Sequence, residues 1–136
     1  MSALFSSQNT HSAFRLRVSA LFIWAAALAY LSLAPGVDAP AGLPLWDKFN
    51  HFAAYAILSG LLLRVLASRH RVSLWILMLA WLVCTGFGLF LEGLQWLMGV
   101  GRQWEPGDLL ANALGALVMC VIFRHASMKF SVINER

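Results

Sequence analysis

The sequence predicts an all-α polytopic membrane protein, a bundle of four transmembrane helices with both termini in the cytoplasm. Hydrophobic residues make up 60% of the 136-residue chain, charged residues only 12%, and the mean hydropathy is +0.72. A soluble domain carries about 25% charged residues. Four apolar runs recur along the chain, and each is long enough to cross a hydrocarbon core of roughly 30 Å as a helix. No length remains for a separate soluble domain.

The first predicted helix covers residues 16–34 and follows a Ser-rich segment, 1–14, which we expect to form a flexible cytoplasmic N-terminus. Arg15 and Arg17 precede the apolar run, and a basic flank of this kind also begins a signal peptide. The run is long for a signal peptide, and the Pro and Asp residues after it make a poor cleavage site. We therefore predict an uncleaved transmembrane helix that serves in packing.

The other three helices are separated by turn-forming residues. Residues 35–46 contain three prolines and two glycines, which disfavour a helix and indicate an external loop. A short basic turn and a glycine-containing loop separate the remaining apolar runs. The predicted membrane domain, 15–125, thus holds helices at about 16–34, 47–67, 74–98 and 108–124, and 126–136 form a cytoplasmic tail.

The distribution of basic residues predicts the orientation. Of the ten Lys and Arg residues, eight fall in the N-terminal flank, around the second turn and in the tail, while Lys48 and Arg102 fall on the other side. By the positive-inside rule, the side with eight basic residues is the cytoplasmic side. The protein is therefore expected to be multi-pass, with both termini in the cytoplasm.

Several functional classes are disfavoured by the same composition. The net charge is +4, but the basic residues lie at the ends of apolar runs and form no nucleic-acid-binding motif. Cys84 and Cys120 lie within apolar runs, so we expect buried free thiols. No cofactor and no metal are predicted.

Polar residues are concentrated at one end of three of the predicted helices. Lys48, His51, Tyr55 and Ser59 recur at three- and four-residue spacing and therefore share one helical face. Because chain direction alternates, the start of the second helix, the end of the third and the start of the fourth lie at one membrane depth. We predict a single polar ligand-binding pocket in the outer leaflet, formed by Asp47, Lys48, His51, Tyr55, Glu92, Gln95, Arg102, Asp108 and Asn112.

Two interpretations of this set compete. An ionisable group inside a membrane span costs roughly 2.5–3.5 kcal/mol on insertion scales, so such groups face the protein interior and indicate function. The structural alternative is a polar zipper, in which each interhelical hydrogen bond contributes about 0.6–2 kcal/mol. Any one of these residues fits either interpretation, but nine polar residues at one membrane face exceed what four short helices need for packing.

The ordered set of polar residues resembles a known family. Asp47-Lys48-x-x-His51-x-x-x-Tyr55, Glu92-x-x-Gln95, Arg102 and Asp108-x-x-x-Asn112-x-x-Gly115 are similar to the motifs of VanZ-like membrane proteins over roughly residues 45–118. The founding member of that family is associated with resistance to the glycopeptide teicoplanin. The resemblance implies a protein of the bacterial cytoplasmic (inner) membrane with a link to the cell envelope and antibiotic response, and no defined reaction.

Three functions remain open at this stage. Lys48 and Arg102 suit the phosphate or carboxylate of an anionic lipid-linked or peptidyl ligand. An envelope-lipid enzyme would use His51, Glu92 and Asp108 as acid, base or metal ligands, although no nucleophile elbow or zinc motif is present. The third function is an accessory or scaffold protein for a partner membrane protein.

Overall fold

The computed structural model describes the backbone of residues 2–34, 44–98 and 105–134 and the side chains of 11–34, 45–98 and 105–128. It confirms an all-helical protein with four helices long and apolar enough to cross a membrane. The order is α1 (Ser2–Leu33), α2 (Pro44–Leu66), α3 (Leu74–Met98) and α4 (Pro106–Asn134).

Two helices extend beyond the predicted spans. Helix α1 begins at Ser2 instead of residue 16, so the segment expected to be flexible continues the helix. Helix α4 ends at Asn134 instead of 124 and includes most of the expected tail. Neither segment contains a proline or glycine that would end a helix. Apolarity locates where a chain can cross a membrane, and it does not mark where the helix stops.

Prolines set the starts of α2 and α4, which lie at Pro44 and Pro106. Proline suits the first helical position because the amide hydrogen it lacks would have no partner inside the helix. Asp47 and Asp108 lie in the first turns of these helices, where the positive end of the helix dipole stabilises a carboxylate.

Helices α2 and α4 run parallel and make the most extensive contact of the bundle. A Cβ atom placed on Gly115 would lie 2.1 Å from the Phe52 carbonyl oxygen, so only glycine allows this approach of the two backbones. Two turns further along α2, the Ser59 hydroxyl donates at 3.2 Å to the carbonyl of Ala116, the residue after Gly115. The contact fixes the register of α2 against α4.

Helices α1 and α3 each attach to this pair through an indole. Trp81 Nε1 on α3 donates to the Ala113 carbonyl of α4 at 3.0 Å, and Trp24 Nε1 on α1 donates to the Ala54 carbonyl of α2 at the same distance. Helix α1 also packs against α3. The two tryptophans therefore act as interhelical donors as well as apolar packing groups.

The core forms two layers between the helices. Tyr55, Leu58, Cys84 and Ala116 form one layer, and the other consists of Leu63, Leu77, Ala80 and Cys120. Both cysteines are buried free thiols, as predicted. Large apolar side chains are exposed on the outer surface of every helix, as expected for surfaces in contact with lipid.

The Gly115 contact gives a direct test of the fold. We expect Gly115→Ala to destabilise the protein by about 2 kcal/mol, because the new methyl group meets backbone that has no room to move. Gly86→Ala is the matched control, since a Cβ there has nothing within 4 Å. Thermal unfolding in detergent compares the two variants, and equal midpoints would contradict the packing described for α2 and α4.

Candidate functional site

The ammonium group of Lys48 lies at the centre of the polar cluster. Its Nζ donates to Oδ1 of Asp108, lies 2.6 Å from Oε2 of Glu105 and 3.7 Å from Oδ2 of Asp47. These carboxylates come from the first turn of α2, the first turn of α4 and the residue just before α4. The parallel packing of α2 and α4 brings the two helix starts together and so creates the cluster.

The three carboxylates differ in their exposure to solvent. The side chain of Asp108 is 13% exposed and that of Asp47 is 20% exposed, whereas Glu105 is 57% exposed. Lys48 itself keeps 26% of its side-chain surface open. The buried Asp108 therefore anchors the ammonium, and Glu105 covers it from the open side.

His51 lies one turn deeper than Lys48 and bridges to α4. Its Nδ1 is 3.1 Å from the Asn112 carboxamide oxygen, and its Nε2 is 3.7 Å from Oδ2 of Asp108. A carboxamide oxygen only accepts, so Nδ1 carries the proton of this hydrogen bond. The other ring nitrogen consequently faces the carboxylate that anchors Lys48. The two sets of polar contacts thus share Asp108.

The third helix closes the inner side of the cluster with a small residue. A Cβ on Gly88 would lie 2.9 Å from Nδ2 of Asn112 and 3.1 Å from the Tyr55 ring, so α3 approaches closely at this point. Glu92, one turn along α3, is buried and interacts electrostatically with Tyr55. The described residues therefore bring α2, α3 and α4 together as the spacing predicted.

Gln95 makes a different contact from the one expected. Its Nε2 donates to the Ser32 carbonyl of α1 at 2.5 Å. The first helix was expected to serve in packing alone, yet it accepts a hydrogen bond at the polar end of the bundle. This bond joins the ends of α1 and α3, and it gives Gln95 a structural role that sequence spacing did not reveal.

Glu105 is a member of the cluster that the sequence analysis missed. It lies three residues before Asp108, and its backbone carbonyl accepts from the Asp108 amide at 3.0 Å in the turn that starts α4. Glu105 precedes the first residue of α4, so helical spacing gave no orientation for its side chain. Arg102, which was predicted in the pocket, lies outside the described residues.

Three side chains of the cluster also have the composition of a cation site. One ligand atom each from Asp47, His51 and Asp108 lies within 4.8 Å of the others. Two carboxylates with an imidazole can bind a divalent transition metal. Lys48 contacts the same carboxylates, so a metal ion would have to displace its ammonium group.

Comparison with known proteins identifies the family. A sequence profile of the VanZ/LLP1 family matches residues 3–129. The chain belongs to the VanZ/LLP1 family. The match contains all four candidate membrane spans and so extends beyond the polar motifs to the first helix. Neither a curated protein nor a solved structure matches this VanZ/LLP1 chain.

The unequal burial around Lys48 predicts unequal effects of substitution in this VanZ/LLP1 protein. We expect Asp108→Asn to lower the free energy of unfolding by about 1–3 kcal/mol, because it weakens a charge-assisted hydrogen bond that water reaches poorly. Glu105→Gln should cost less than about 1 kcal/mol, as exposed ion pairs do.

A double-mutant cycle assigns this loss to the ion pair. Asp108→Asn and Lys48→Met, singly and together, are compared by unfolding in detergent, with Glu105→Gln as the exposed control. A coupling energy of about 0.5–3 kcal/mol is expected for directly bonded groups. Additive effects of the two changes would contradict a direct contact between these side chains.

Proposed function

We propose that this protein binds the anionic head group of a lipid-linked or peptidyl cell-envelope ligand at the Lys48 cluster, and through it influences the response to envelope and glycopeptide antibiotics. The supporting observation is the asymmetric environment of Lys48. A buried carboxylate positions its ammonium group, and an exposed one covers it. The binding step is an exchange, in which a ligand anion replaces Glu105.

The energetics favour exchange at Glu105 over exchange at Asp108. An ion pair between solvent-exposed groups contributes about 0–1 kcal/mol, so little stability is lost when Glu105 leaves. Removing Asp108 would uncouple a partly buried charge pair and also expose the side of His51 that faces it. A phosphate or carboxylate arriving from the open side therefore meets Lys48 with Asp108 still in place.

The neighbouring polar groups supply recognition beyond charge. Asn112 and His51 lie directly beneath Lys48, and their contacts orient the polar atoms at the base of the cluster. Arg102 is the second cation that we assign to the ligand, where a guanidinium would bind a phosphate or carboxylate in a bidentate manner. The outer leaflet is the proposed location, since the basic residues elsewhere predict that this end faces outward.

Ligand binding to purified protein in nanodiscs tests the exchange. A long-chain polyprenyl phosphate is the lipid-linked probe, and an acylated dipeptide with a free carboxylate is the peptidyl probe. Lys48→Gln should weaken binding of the preferred probe at least about tenfold, the equivalent of one charge-assisted hydrogen bond. Glu105→Gln should tighten binding about two- to fivefold, because it removes a competing anion held by an exposed pair.

Arg124→Gln serves as the matched control, since it removes one positive charge at the other end of α4. The proposal is contradicted if Lys48→Gln binds both probes as the unchanged protein does, or if Arg124→Gln loses as much affinity. Weaker binding by Glu105→Gln would place Glu105 among the ligand's contacts and overturn the exchange.

The cellular consequence is tested with Arg102→Ala in a strain whose antibiotic response depends on this protein. Loss of the second cation is expected to raise susceptibility to envelope antibiotics at unchanged membrane abundance. Unchanged susceptibility at equal abundance would show that Arg102 has no part in the function.

A second candidate function, an envelope-lipid enzyme, is favoured by the placement of His51. One ring nitrogen is fixed by Asn112 and the other faces Asp108, an arrangement that can position an imidazole for proton transfer. Buried Glu92 is the further acid or base. Retention of full cellular function in both His51→Ala and Glu92→Gln would exclude this candidate while leaving ligand binding at Lys48 open.

A further inference from the structure

A cavity lies at the opposite end of the bundle from the Lys48 cluster. It has a volume of about 320 Å³, within the size range of small-molecule sites. Helix α1 contributes one wall, and the turn after α2 contributes the other. The lining residues are His11, Ala13, Phe14, Arg17, Ser68 and Arg69.

The positive charge around this cavity is not balanced by any acidic residue that the structure describes. The four carboxylates whose side chains the structure describes, Asp47, Glu92, Glu105 and Asp108, are in or next to the polar cluster at the other end. Arg17 and Arg69 therefore have no carboxylate near them among the described residues. This contrasts with Lys48, which has three.

The Arg69 guanidinium is held in a defined position. Its Cζ lies 4.3 Å from the centroid of the Phe14 ring on α1. A cation stacked on an aromatic face keeps its N–H groups free at the edge of the guanidinium plane. The Ser68 hydroxyl donates to the Val65 carbonyl at 2.5 Å, so the donors left for an anion belong to the arginines and His11.

We propose that this cavity binds the phosphate head group of an anionic membrane lipid. Arg17 from α1 and Arg69 from the turn approach one phosphate from two sides, and Phe14 fixes the second guanidinium. Guanidinium groups bind phosphate oxygens in bidentate fashion, which matches a site with two arginines and no acidic competitor among the described side chains. Basic pockets between transmembrane helices on the cytoplasmic side are a known setting for anionic head groups.

The depth of the cavity favours a lipid over a soluble phosphate compound. Ser68 and Arg69 lie two and three residues after the end of the candidate span Leu45–Leu66, and Arg17 lies six residues after the first residue of the span His11–Leu33. The cavity is therefore at the boundary between the apolar spans and water, where lipid phosphates lie. A lipid bound there would have its acyl chains beside the apolar surface of α1.

The positive-inside rule alone does not account for this arrangement. That rule concerns the number of Lys and Arg residues in a flank and does not require them to converge. Here two arginines separated by about fifty residues line one cavity, and one of them stacks on a residue of the other's helix. Arg71 and Arg124 have the same charge and do not line the cavity.

Native mass spectrometry of the full chain released from nanodiscs tests the lipid site. The nanodiscs contain phosphatidylglycerol and phosphatidylcholine in equal amounts. The unchanged protein should retain phosphatidylglycerol preferentially. Arg17→Gln with Arg69→Gln should reduce that retention about tenfold, since two charge-assisted contacts are lost.

Arg71→Gln with Arg124→Gln is the matched control, because it removes the same charge outside the cavity. Its retention of phosphatidylglycerol should change less than about twofold, as for charges that act only through a screened field. Equal losses in the two double variants would show diffuse attraction and overturn the site. The melting temperature verifies that both double variants are folded. The single change Arg69→Lys keeps the charge and loses the planar guanidinium that stacks on Phe14. Its retention of phosphatidylglycerol should lie between those of the two double variants.

A soluble competitor distinguishes the two sources of phosphate. Glycerol 3-phosphate at the concentration of the lipid should not displace phosphatidylglycerol from the unchanged protein. Displacement, or binding of glycerol 3-phosphate as tight as that of the lipid, would assign the cavity to a soluble metabolite and overturn the lipid assignment. The arginines changed in these variants all lie outside the Lys48 cluster, so the comparison between the two double variants does not depend on the function proposed for that cluster.

Discussion

The close parallel contact between α2 and α4 is the constraint on which the rest of the structure depends. Gly115 lets the α4 backbone approach the Phe52 carbonyl, and this contact sets which residues of the two helices face each other. Lys48 then meets Asp108, and His51 meets Asn112, each pair about sixty residues apart in the chain. A displacement of one residue along the helix would rotate these polar groups about 100° away from one another. The close backbone contact at Gly115 is thus a precondition for the polar cluster.

Charge is organised differently at the two ends of the bundle. Around Lys48 the carboxylates outnumber the ammonium group, and they come from positions where the helix dipoles of α2 and α4 also favour negative charge. At the other end the described arginines face no carboxylate among the described residues, and Arg69 stacks on the Phe14 ring. One end is built to hold a cation within the protein, and the other leaves cations available to outside anions. Electrostatic interactions are stronger in a low-dielectric interior than in water, so the difference in electrostatic environment between the two ends is larger than it would be in water.

The sequence was sufficient to predict the fold class and most of the cluster. Hydropathy identified four spans because, in lipid, a single apolar segment can satisfy its backbone hydrogen bonds only as a helix. Helical spacing then placed Lys48, His51 and Tyr55 on one face. It did not reveal that Gln95 donates to Ser32, because that bond depends on how α1 and α3 pack. Nor did it include Glu105, which lies in a turn where helical spacing gives no orientation. Contacts between two faces of known helices were predictable, and contacts made by turns or by backbone carbonyls were not.

The large separation of Lys48 and Asp108 along the chain has a consequence for biosynthesis. Helix α2 precedes α4 in the chain, so it can enter the bilayer before the residue that will anchor its ammonium group. Until α4 follows, Lys48 must remain near the head groups, extending its aliphatic stem upward as membrane lysines do. A truncated product that ends before α4 keeps this exposed polar face on α2. This exposed polar face is a feature by which membrane quality-control proteases could distinguish the incomplete protein from the folded one.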